Sequence, residues 1–205
     1  MKDSPLHALV VRKTGTALSN LQRERLDQAA APHRQGRDER AFVDWLESPF
    51  GKAALDEILT AIPVHKTDLF RDPDQLAVLE HAVLPKLLRT RRGLTVWSAG
   101  CATGEEVATL LILLAEAGVL ETSTVLGTDL SGRALGVART LTFSAQAMRR
   151  VPASLTTRFF DAQGESFALK EHLKARARFE RHNLMDRPYP RVPGRPGFDL
   201  VMCRN

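Results

Sequence analysis

The sequence predicts an α/β protein in which a small all-α domain is followed by a domain built on a parallel sheet. Before Leu59 the apolar residues recur at helical spacing, whereas after Gly93 short apolar runs of strand type alternate with helical segments. An alternation of strand, helix, strand and helix is typical of a parallel sheet with right-handed crossovers. We therefore expect a helical domain over residues 1–63 and a sheet domain over residues 64–205.

The first domain shows no cluster of catalytic residue types. Its charged residues are mixed in sign, and glycine or proline separates its helical segments. We expect it to serve docking or packing. Ile62-Pro63 begins a linker to the second domain.

A helix is predicted to begin at Asp72-Pro73-Asp74 and to run to about Thr90. Aspartate can cap the backbone N–H groups of a first helical turn, and proline at the first position lacks only a donor that has no partner there. Pro85 lies inside this segment, so we expect a kink or a break.

Strands and helices alternate through the rest of the chain. The predicted strands are 94–97, 124–128, 175–179 and 198–203, and the predicted helices are 107–117 and 133–140. The last strand is an apolar run suited to burial on both faces, as central parallel strands are.

Two glycines lie in the turn between the first of these strands and its helix. Gly100 and Gly104 permit a tight turn in which a ligand approaches backbone N–H groups at a helix N-terminus. Their spacing differs from the Gly-x-Gly-x-x-Gly pattern that binds a dinucleotide pyrophosphate, which favours a cofactor without pyrophosphate. S-adenosylmethionine is such a cofactor, and its ammonium group calls for an acid such as Glu105. The alternative is a plain strand-to-helix turn with glutamate placed for the helix dipole.

Asp129 stands at the carboxyl end of the second predicted strand. An acid there can accept hydrogen bonds from both hydroxyls of a ribose. Together with Gly100 it favours an adenosine cofactor. The alternative for Asp129 is a helix N-cap, because Ser131 and Gly132 also suit a turn.

Composition narrows the functional classes only in part. A net charge of +5 permits attraction to acidic partners without choosing among them, and the arginines are scattered, so no nucleic-acid partner is predicted. Cys101 and Cys203 lie far apart without clustered cysteine or histidine, so we expect reduced thiols and no metal site. No apolar run approaches the roughly 18 residues of a membrane span, and the N-terminus lacks the apolar stretch of a signal peptide. These features predict a cytoplasmic address and no insertion into a membrane.

Five blocks of the sequence carry a recognisable pattern: Thr67–Pro73, Val96–Glu106, Thr128-Asp129, Asn183-Leu184 and Phe198–Asn205. In this order they resemble successive blocks of the CheR family of chemoreceptor glutamate methyltransferases. The resemblance implies a class I S-adenosylmethionine-dependent methyltransferase domain of Rossmann-like fold. That family continues past its Cys-Arg-Asn block, so the resemblance also implies a domain that is incomplete at the C-terminus of this chain.

The resemblance also implies individual roles. The implied cofactor-binding residues are His65, Thr67, Arg71, Ala99, Gly100, Glu105, Asp129, Asn183, Leu184 and Asn205. Among them Glu105 matches a contact to the methionine end, Asp129 the ribose contact, and Asn183 with Leu184 the adenine-side pair. His65 stands where the family usually has asparagine, and a plain linker histidine is the alternative. Leu69 and Ser131 also depart from the family pattern, which usually has phenylalanine and a second aspartate there.

Arg71 is the candidate catalytic residue, because a guanidinium can hold a substrate carboxylate with two hydrogen bonds. The alternative is a structural ion pair with Asp68 or Asp72. A glutamate substrate, with an ordinary pKa of about 4.3, is already ionised near neutral pH and needs no strong base.

By resemblance, the expected activity is methyl transfer from S-adenosylmethionine to glutamates on the cytoplasmic helices of chemoreceptors, releasing S-adenosylhomocysteine. The alternatives are a non-catalytic module that binds cofactor or receptor, and a nicotinamide oxidoreductase on the same architecture. Residues 160–166 hold a single glycine, so we expect weak or no binding of a receptor's tethering pentapeptide. We expect the 205-residue chain alone to self-associate and to have little activity, because nothing follows its last strand.

Overall fold

The computed structural model describes residues 4–61 and 67–204. The chain divides into two compact units, Met1–Val64 with Asn183–Arg187, and His65–His182 with Pro188–Asn205. The short segment Asn183–Arg187 therefore groups with the helical unit, although the sequence analysis assigned it to the sheet domain.

The helical unit is all-α, as predicted. Its helices are α1 (Pro5–Thr14), α2 (Asn20–Arg34), α3 (Glu39–Glu47) and α4 (Lys52–Thr60). The side chains of Ser4, Ser19 and Asp38 cap the first three helices by accepting backbone N–H groups of the first turn. Leu6, Leu26, Phe42, Leu46 and Ile58 are fully buried and form the centre of this unit.

The second unit begins with an interrupted helix. It consists of α5 (Pro73–Val78), a π-helical turn (Leu79–Val83) and α6 (Leu84–Leu88). The predicted disturbance at Pro85 thus takes the form of a π-helical turn before the proline, which has no N–H to continue the helical hydrogen bonding. The predicted side-chain cap at Asp72 is wrong: this residue adopts left-handed angles (φ 57°, ψ 65°), and its side chain caps no backbone N–H.

The remaining elements alternate as predicted in the first half and differ in the second. In chain order they are β1 (Thr95–Ala99), α7 (Glu105–Glu116), β2 (Thr124–Asp129), α8 (Gly132–Ala138), β3 (Thr142–Ser144), α9 (Ala145–Met148), α10 (Ala153–Phe159), β4 (Phe160–Gln163), β5 (Ser166–Leu169), α11 (Glu171–Lys174), β6 (Ala177–Arg181) and β7 (Leu200–Met202).

Four of these strands form a parallel sheet in the order β6-β2-β1-β7. This sheet confirms the predicted α/β fold class. Ala99 at the end of β1 pairs in register with Thr128, so Gly100 and Asp129 follow at the same edge of the sheet. That edge is the carboxyl end of the strands, where open α/β sheets bind ligands.

A separate three-stranded antiparallel sheet, in the order β3-β5-β4, was not predicted from the sequence. Its strands are only three or four residues long, too short for a clear alternation of polar and apolar residues. Gly164, with φ of 61°, lies in the tight turn between β4 and β5.

The core of the second unit lies between α7 and the parallel sheet. Val107, Leu111 and Leu114 of α7 share one buried apolar cluster with Val96 of β1 and Val125 of β2. Burial of this helix anchors its N-terminus beside the ends of β1 and β2. In the part of the chain that the structure describes, no helix is long and apolar enough to cross a membrane.

Candidate cofactor and substrate site

The turn between β1 and α7 is built from three residues in the left-handed region. Gly100, Ala102 and Gly104 have φ of 85°, 50° and 96°. The backbone N–H groups of Gly100 and Cys101 both donate to the Thr128 carbonyl over 2.8 Å, which holds the turn against the end of β2.

The two glycines of this turn serve different needs. A Cβ at Gly104 would lie 3.2 Å from the Cα of Ala138, so glycine allows the close approach of α8. A Cβ at Gly100 would meet no heavy atom within 4 Å, so Gly100 borders open space. This space lies at the carboxyl edge of the sheet, where a bound ligand can approach the backbone.

Asp129 is the last residue of β2 and holds the turn through its carboxylate. One oxygen, Oδ2, accepts the backbone N–H of Ala102 over 2.9 Å, and the other, Oδ1, accepts that of Ser131 over 2.8 Å. Each carboxylate oxygen has a second lone pair, so both can still accept a ligand hydroxyl. The N-cap of α8 is Ser131, whose hydroxyl accepts from the N–H of Ala134, so the alternative of Asp129 as the N-cap is wrong.

Glu105 is the first residue of α7 and is buried, with 6% of its surface exposed. Burial raises the pKa of its carboxyl group above the ordinary value, and the negative charge of Asp68 adds to this rise. The Thr103 hydroxyl, 2.8 and 2.7 Å from the two carboxylate oxygens, opposes the rise by stabilising the charged form. A cationic ligand group beside Glu105 would compensate its buried charge.

Cys101 lies within the same turn and is buried. Burial raises the pKa of its thiol far above the ordinary value, with the charges of Asp129 and Glu106 adding to the rise. The thiol therefore stays protonated and is a poor nucleophile near neutral pH.

The segment that carries Arg71 is held by two neighbouring helices. The N–H of Leu69 donates to the Ala147 carbonyl of α9 over 3.3 Å, and the N–H of Phe70 donates to the Thr109 hydroxyl of α7 over 3.1 Å. Phe70 and Asp72, on either side of Arg71, both adopt left-handed φ, at 52° and 57°. Non-glycine residues rarely do so, and such strain persists only where surrounding contacts impose it.

Arg71 forms one of the two ion pairs named as its alternative role. Its Nε lies 3.7 Å from Asp72 Oδ2. Asp68 instead accepts a hydrogen bond from Arg149 of the loop after α9, with Arg150 Nε 3.9 Å away. The pairing of Arg71 with Asp72 is compatible with a substrate role, because the Arg71 side chain is about one third exposed, at 31%.

Arg204 is a residue of this region that the sequence analysis missed. Its guanidinium contacts Glu106, the Arg71 carbonyl and Asp72, and its side chain is 12% exposed. The signal for it was its place in the Cys-Arg-Asn block, but only the asparagine of that block was predicted as a site residue.

The structure brings some of the predicted residues together. Ala99, Gly100, Glu105 and Asp129 lie at one edge of the parallel sheet, where Ala99 ends β1 and is buried. Thr67 begins the described segment that leads to Arg71.

Other predicted residues belong to the helical unit or fall outside the described residues. Asn183 and Leu184 belong to the helical unit, where the Asn183 amide donates to the Lys13 carbonyl over 2.8 Å. His65 and Asn205 lie outside the described residues. In the ranges 4–61 and 67–204 no group of three histidine, cysteine or acidic residues is arranged to hold a metal ion.

Comparison with known proteins adds a family and several relatives. Residues 65–205 match the sequence profile of a family described as CheR methyltransferase, SAM binding domain. The chain is 32% identical over 152 residues to a chemotaxis protein methyltransferase of Listeria innocua, covering 74% of this chain and 56% of the relative. It is 31% identical to one of Borreliella burgdorferi, covering 80% of this chain and 60% of the relative. It is 34% identical to chemotaxis protein methyltransferase 1 of Pseudomonas aeruginosa, covering 72% and 56%. The chain thus spans less than two thirds of the length of these relatives.

Proposed function

This chain belongs to the CheR methyltransferase family, and from that premise we propose that it acts as a protein-glutamate O-methyltransferase in chemotaxis-like signalling. The cofactor of the domain is S-adenosylmethionine. The observation that carries the proposal is the placement of Gly100, Glu105 and Asp129 at the carboxyl edge of β1 and β2, where a Cβ at Gly100 would meet no heavy atom within 4 Å.

The chemistry of these residues fits the cofactor. The buried carboxylate of Glu105 matches the ammonium group of the methionine end, because a cation offsets the cost of a buried negative charge. The Asp129 carboxylate retains acceptor capacity for ribose hydroxyls. Gly100 leaves room for a ligand to approach the turn, because a Cβ there would meet no heavy atom within 4 Å.

When bound, the cofactor supplies a sulfonium methyl group to a glutamate carboxylate oxygen, with the O–CH₃ bond forming as the CH₃–S bond breaks. No proton moves in this step, because a glutamate with an ordinary pKa of about 4.3 is ionised near neutral pH. The chain therefore needs to hold and orient the carboxylate and to exclude water from it. The protonated thiol of Cys101 takes no part.

Arg71 is proposed to hold the substrate carboxylate. It follows Thr67-Asp68 in a segment anchored to α7 and α9, and its guanidinium is partly exposed. A bidentate guanidinium–carboxylate pair fixes the carboxylate plane, which sets the direction of attack on the methyl group. The Asp72 ion pair would then be exchanged for the substrate.

The proposed partners are the cytoplasmic helices of methyl-accepting chemoreceptors, and the proposed location is the cytoplasm. The relatives named chemotaxis protein methyltransferases support this assignment. His65, Asn183, Leu184 and Asn205 stay predicted cofactor contacts.

The test is methyl transfer from radiolabelled S-adenosylmethionine to a receptor cytoplasmic fragment. The protein should be this chain, with a second sample extended by whatever its gene encodes after Asn205. We expect base-labile label in the fragment, as methyl esters hydrolyse in base, and none when its candidate glutamates are replaced by glutamine. Base-stable label, or equal label in the glutamine fragment, would contradict the proposal. Cofactor binding without transfer by either sample would favour the non-catalytic module instead.

A further inference from the structure

Arg204 connects three parts of the site through one guanidinium. Its Nε donates to Glu106 Oε2 over 2.6 Å, and its Nη1 donates to the Arg71 carbonyl over 3.0 Å and to Asp72 Oδ2 over 3.2 Å. Glu106 also accepts the Ser98 hydroxyl over 2.6 Å. Arg204 thereby joins β1, the N-terminus of α7 and the segment that carries Arg71.

The backbone around Arg71 requires such support. The residues before and after Arg71 both adopt left-handed φ, which non-glycine residues avoid. The Leu69 and Phe70 N–H groups hold the segment on its N-terminal side. Arg204 holds it on the C-terminal side, because it takes the Arg71 carbonyl as an acceptor.

Arg204 also acts on the charge next to Arg71. Asp72 Oδ2 lies 3.2 Å from Arg204 Nη1 and 3.7 Å from Arg71 Nε, so the two arginines share one carboxylate oxygen. Without Arg204 the Asp72 carboxylate would have only Arg71 as a close cationic partner among these contacts. A substrate carboxylate would then have to displace a stronger competitor.

We propose that Arg204 is a positioning residue, which fixes the backbone and the ionic partner of Arg71 so that the Arg71 guanidinium meets the substrate carboxylate. The assignment of a substrate to Arg71 rests on the proposed function. The positioning itself rests on the contacts above. Glu106 follows Glu105 in α7, so Arg204 also links the turn proposed for the cofactor to the segment proposed for the substrate.

The positioning can be tested without methyl transfer, by amide hydrogen exchange of residues 68–73. Arg204→Met should speed exchange of the Leu69 and Phe70 amides by about tenfold or more, since it removes charge-assisted hydrogen bonds from one side of the segment. Arg204→Lys keeps the charge without the planar fork, and it should give a smaller increase. Arg158→Met is the matched control, because Arg158 pairs with Glu116 at the opposite end of α7. Exchange within about twofold of wild type in both Arg204 variants would overturn the inference.

The effect of Arg204 on substrate binding by Arg71 is tested by kinetics in a sample that transfers methyl groups. Arg204→Met should raise the KM for the receptor fragment by about tenfold, while the Kd of S-adenosylhomocysteine changes less than about threefold. In an Arg71→Ala background the same change should have less than about a twofold further effect, because a residue that acts through Arg71 has nothing left to position. If Arg204→Met raised KM equally in the wild type and in the Arg71→Ala background, Arg204 would not act through Arg71. If the wild type transfers no methyl group, the proposed function fails, and the exchange measurement still decides the positioning.

Discussion

The Asp129 carboxylate accepts the backbone N–H of Ala102 over 2.9 Å, although 27 positions separate the two residues in the chain. This bond ties the end of β2 to the turn after β1, where Ala102 has a left-handed φ of 50°. Asp129, which is proposed to bind the ribose, therefore also stabilises the turn that is proposed to bind the methionine end of the cofactor. A simple loss of binding on replacing Asp129 would not separate these two roles.

The ribose role is separated by changing the ligand as well as the residue. We expect Asp129→Ala to weaken S-adenosylhomocysteine binding by about 10- to 100-fold, since hydrogen bonds to a charged group contribute about 1.5–3 kcal/mol. The 2′,3′-dideoxy analogue, which lacks both hydroxyls, should lose much less affinity. Calorimetry on both ligands measures the difference. Equal losses of affinity for the two ligands in a folded variant would show that Asp129 does not bind the ribose and only stabilises the turn.

Gly100 and Gly118 form a matched pair for testing the open space. Both have left-handed φ, 85° and 71°, and neither has a heavy atom within 4 Å of an added Cβ. Replacing either by alanine should cost about 1 kcal/mol of unfolding free energy from backbone strain alone. Only Gly100→Ala should also weaken cofactor binding, by about tenfold or more, because its methyl group enters the space proposed for the ligand. Similar affinities for the two variants would place the cofactor away from Gly100.

The buried carboxyl group of Glu105 is expected to lower the stability of the ligand-free chain at neutral pH while favouring cofactor binding. Burial raises its pKa in the folded state, so the folded chain binds more protons than the unfolded chain between the two pKa values. Stability contributed by this group therefore falls as pH rises through that window, and the buried charge is a cost at neutral pH. We expect Glu105→Gln to stabilise the ligand-free chain at pH 7 by about 1 kcal/mol, and the gain should shrink as pH falls and the wild-type carboxyl becomes protonated.

The same variant should lose cofactor affinity at pH 7, because glutamine offers no negative charge to the ammonium group. Denaturant unfolding between about pH 4 and pH 8 measures the first effect, and calorimetry at pH 7 the second. Wild-type affinity should itself decline as pH falls through the raised pKa of Glu105. Undiminished binding by the glutamine variant would assign Glu105 to the fold alone.

The sequence predicted the candidate site residues that lie at the ends of strands or at the start of a helix. β1, α7 and β2 have long apolar patterns, and Gly100, Glu105 and Asp129 stand at their ends, so their meeting at one edge follows from the parallel sheet. The contacts around Arg71 did not follow, because Arg204 and Arg149 reach that segment from more than 70 positions away. No spacing rule relates such residues.

Two further differences between the predicted and the observed elements have identifiable causes. The Asp72 cap fails because the residue takes left-handed angles and gives its carboxylate to Arg204, a tertiary partner that overrides the capping preference. Strand β4 begins directly after α10, so the apolar pair Phe159-Phe160 is divided between a helix and a strand with no turn signal between them.

The antiparallel sheet bears on the expected weak binding of a receptor's tethering pentapeptide. A peptide that adds a strand to a sheet gains affinity from main-chain hydrogen bonds. The outer strands here, β3 and β4, are three and four residues long, which limits the number of such bonds. We therefore expect no saturation of a labelled pentapeptide at micromolar protein in fluorescence anisotropy. Micromolar binding would show that these short edges suffice.

The last prediction concerns β7, an apolar strand whose outer edge was expected to lack a partner strand. Val201 is 49% exposed, and among the described strands β7 pairs only with β1. A strand with an unpaired edge and an exposed apolar side chain is a template for pairing with another chain. We expect the 205-residue chain to self-associate in sedimentation velocity and expect Val201→Lys to raise the dissociation constant by about tenfold, because a charge on an edge strand opposes such pairing. Val137 is the matched control, since it is 47% exposed but lies on α8, where no strand edge is available. Val137→Lys should leave self-association nearly unchanged. Equal effects of the two lysines would indicate general hydrophobic association instead of strand pairing, and a monomeric wild type would contradict the prediction outright.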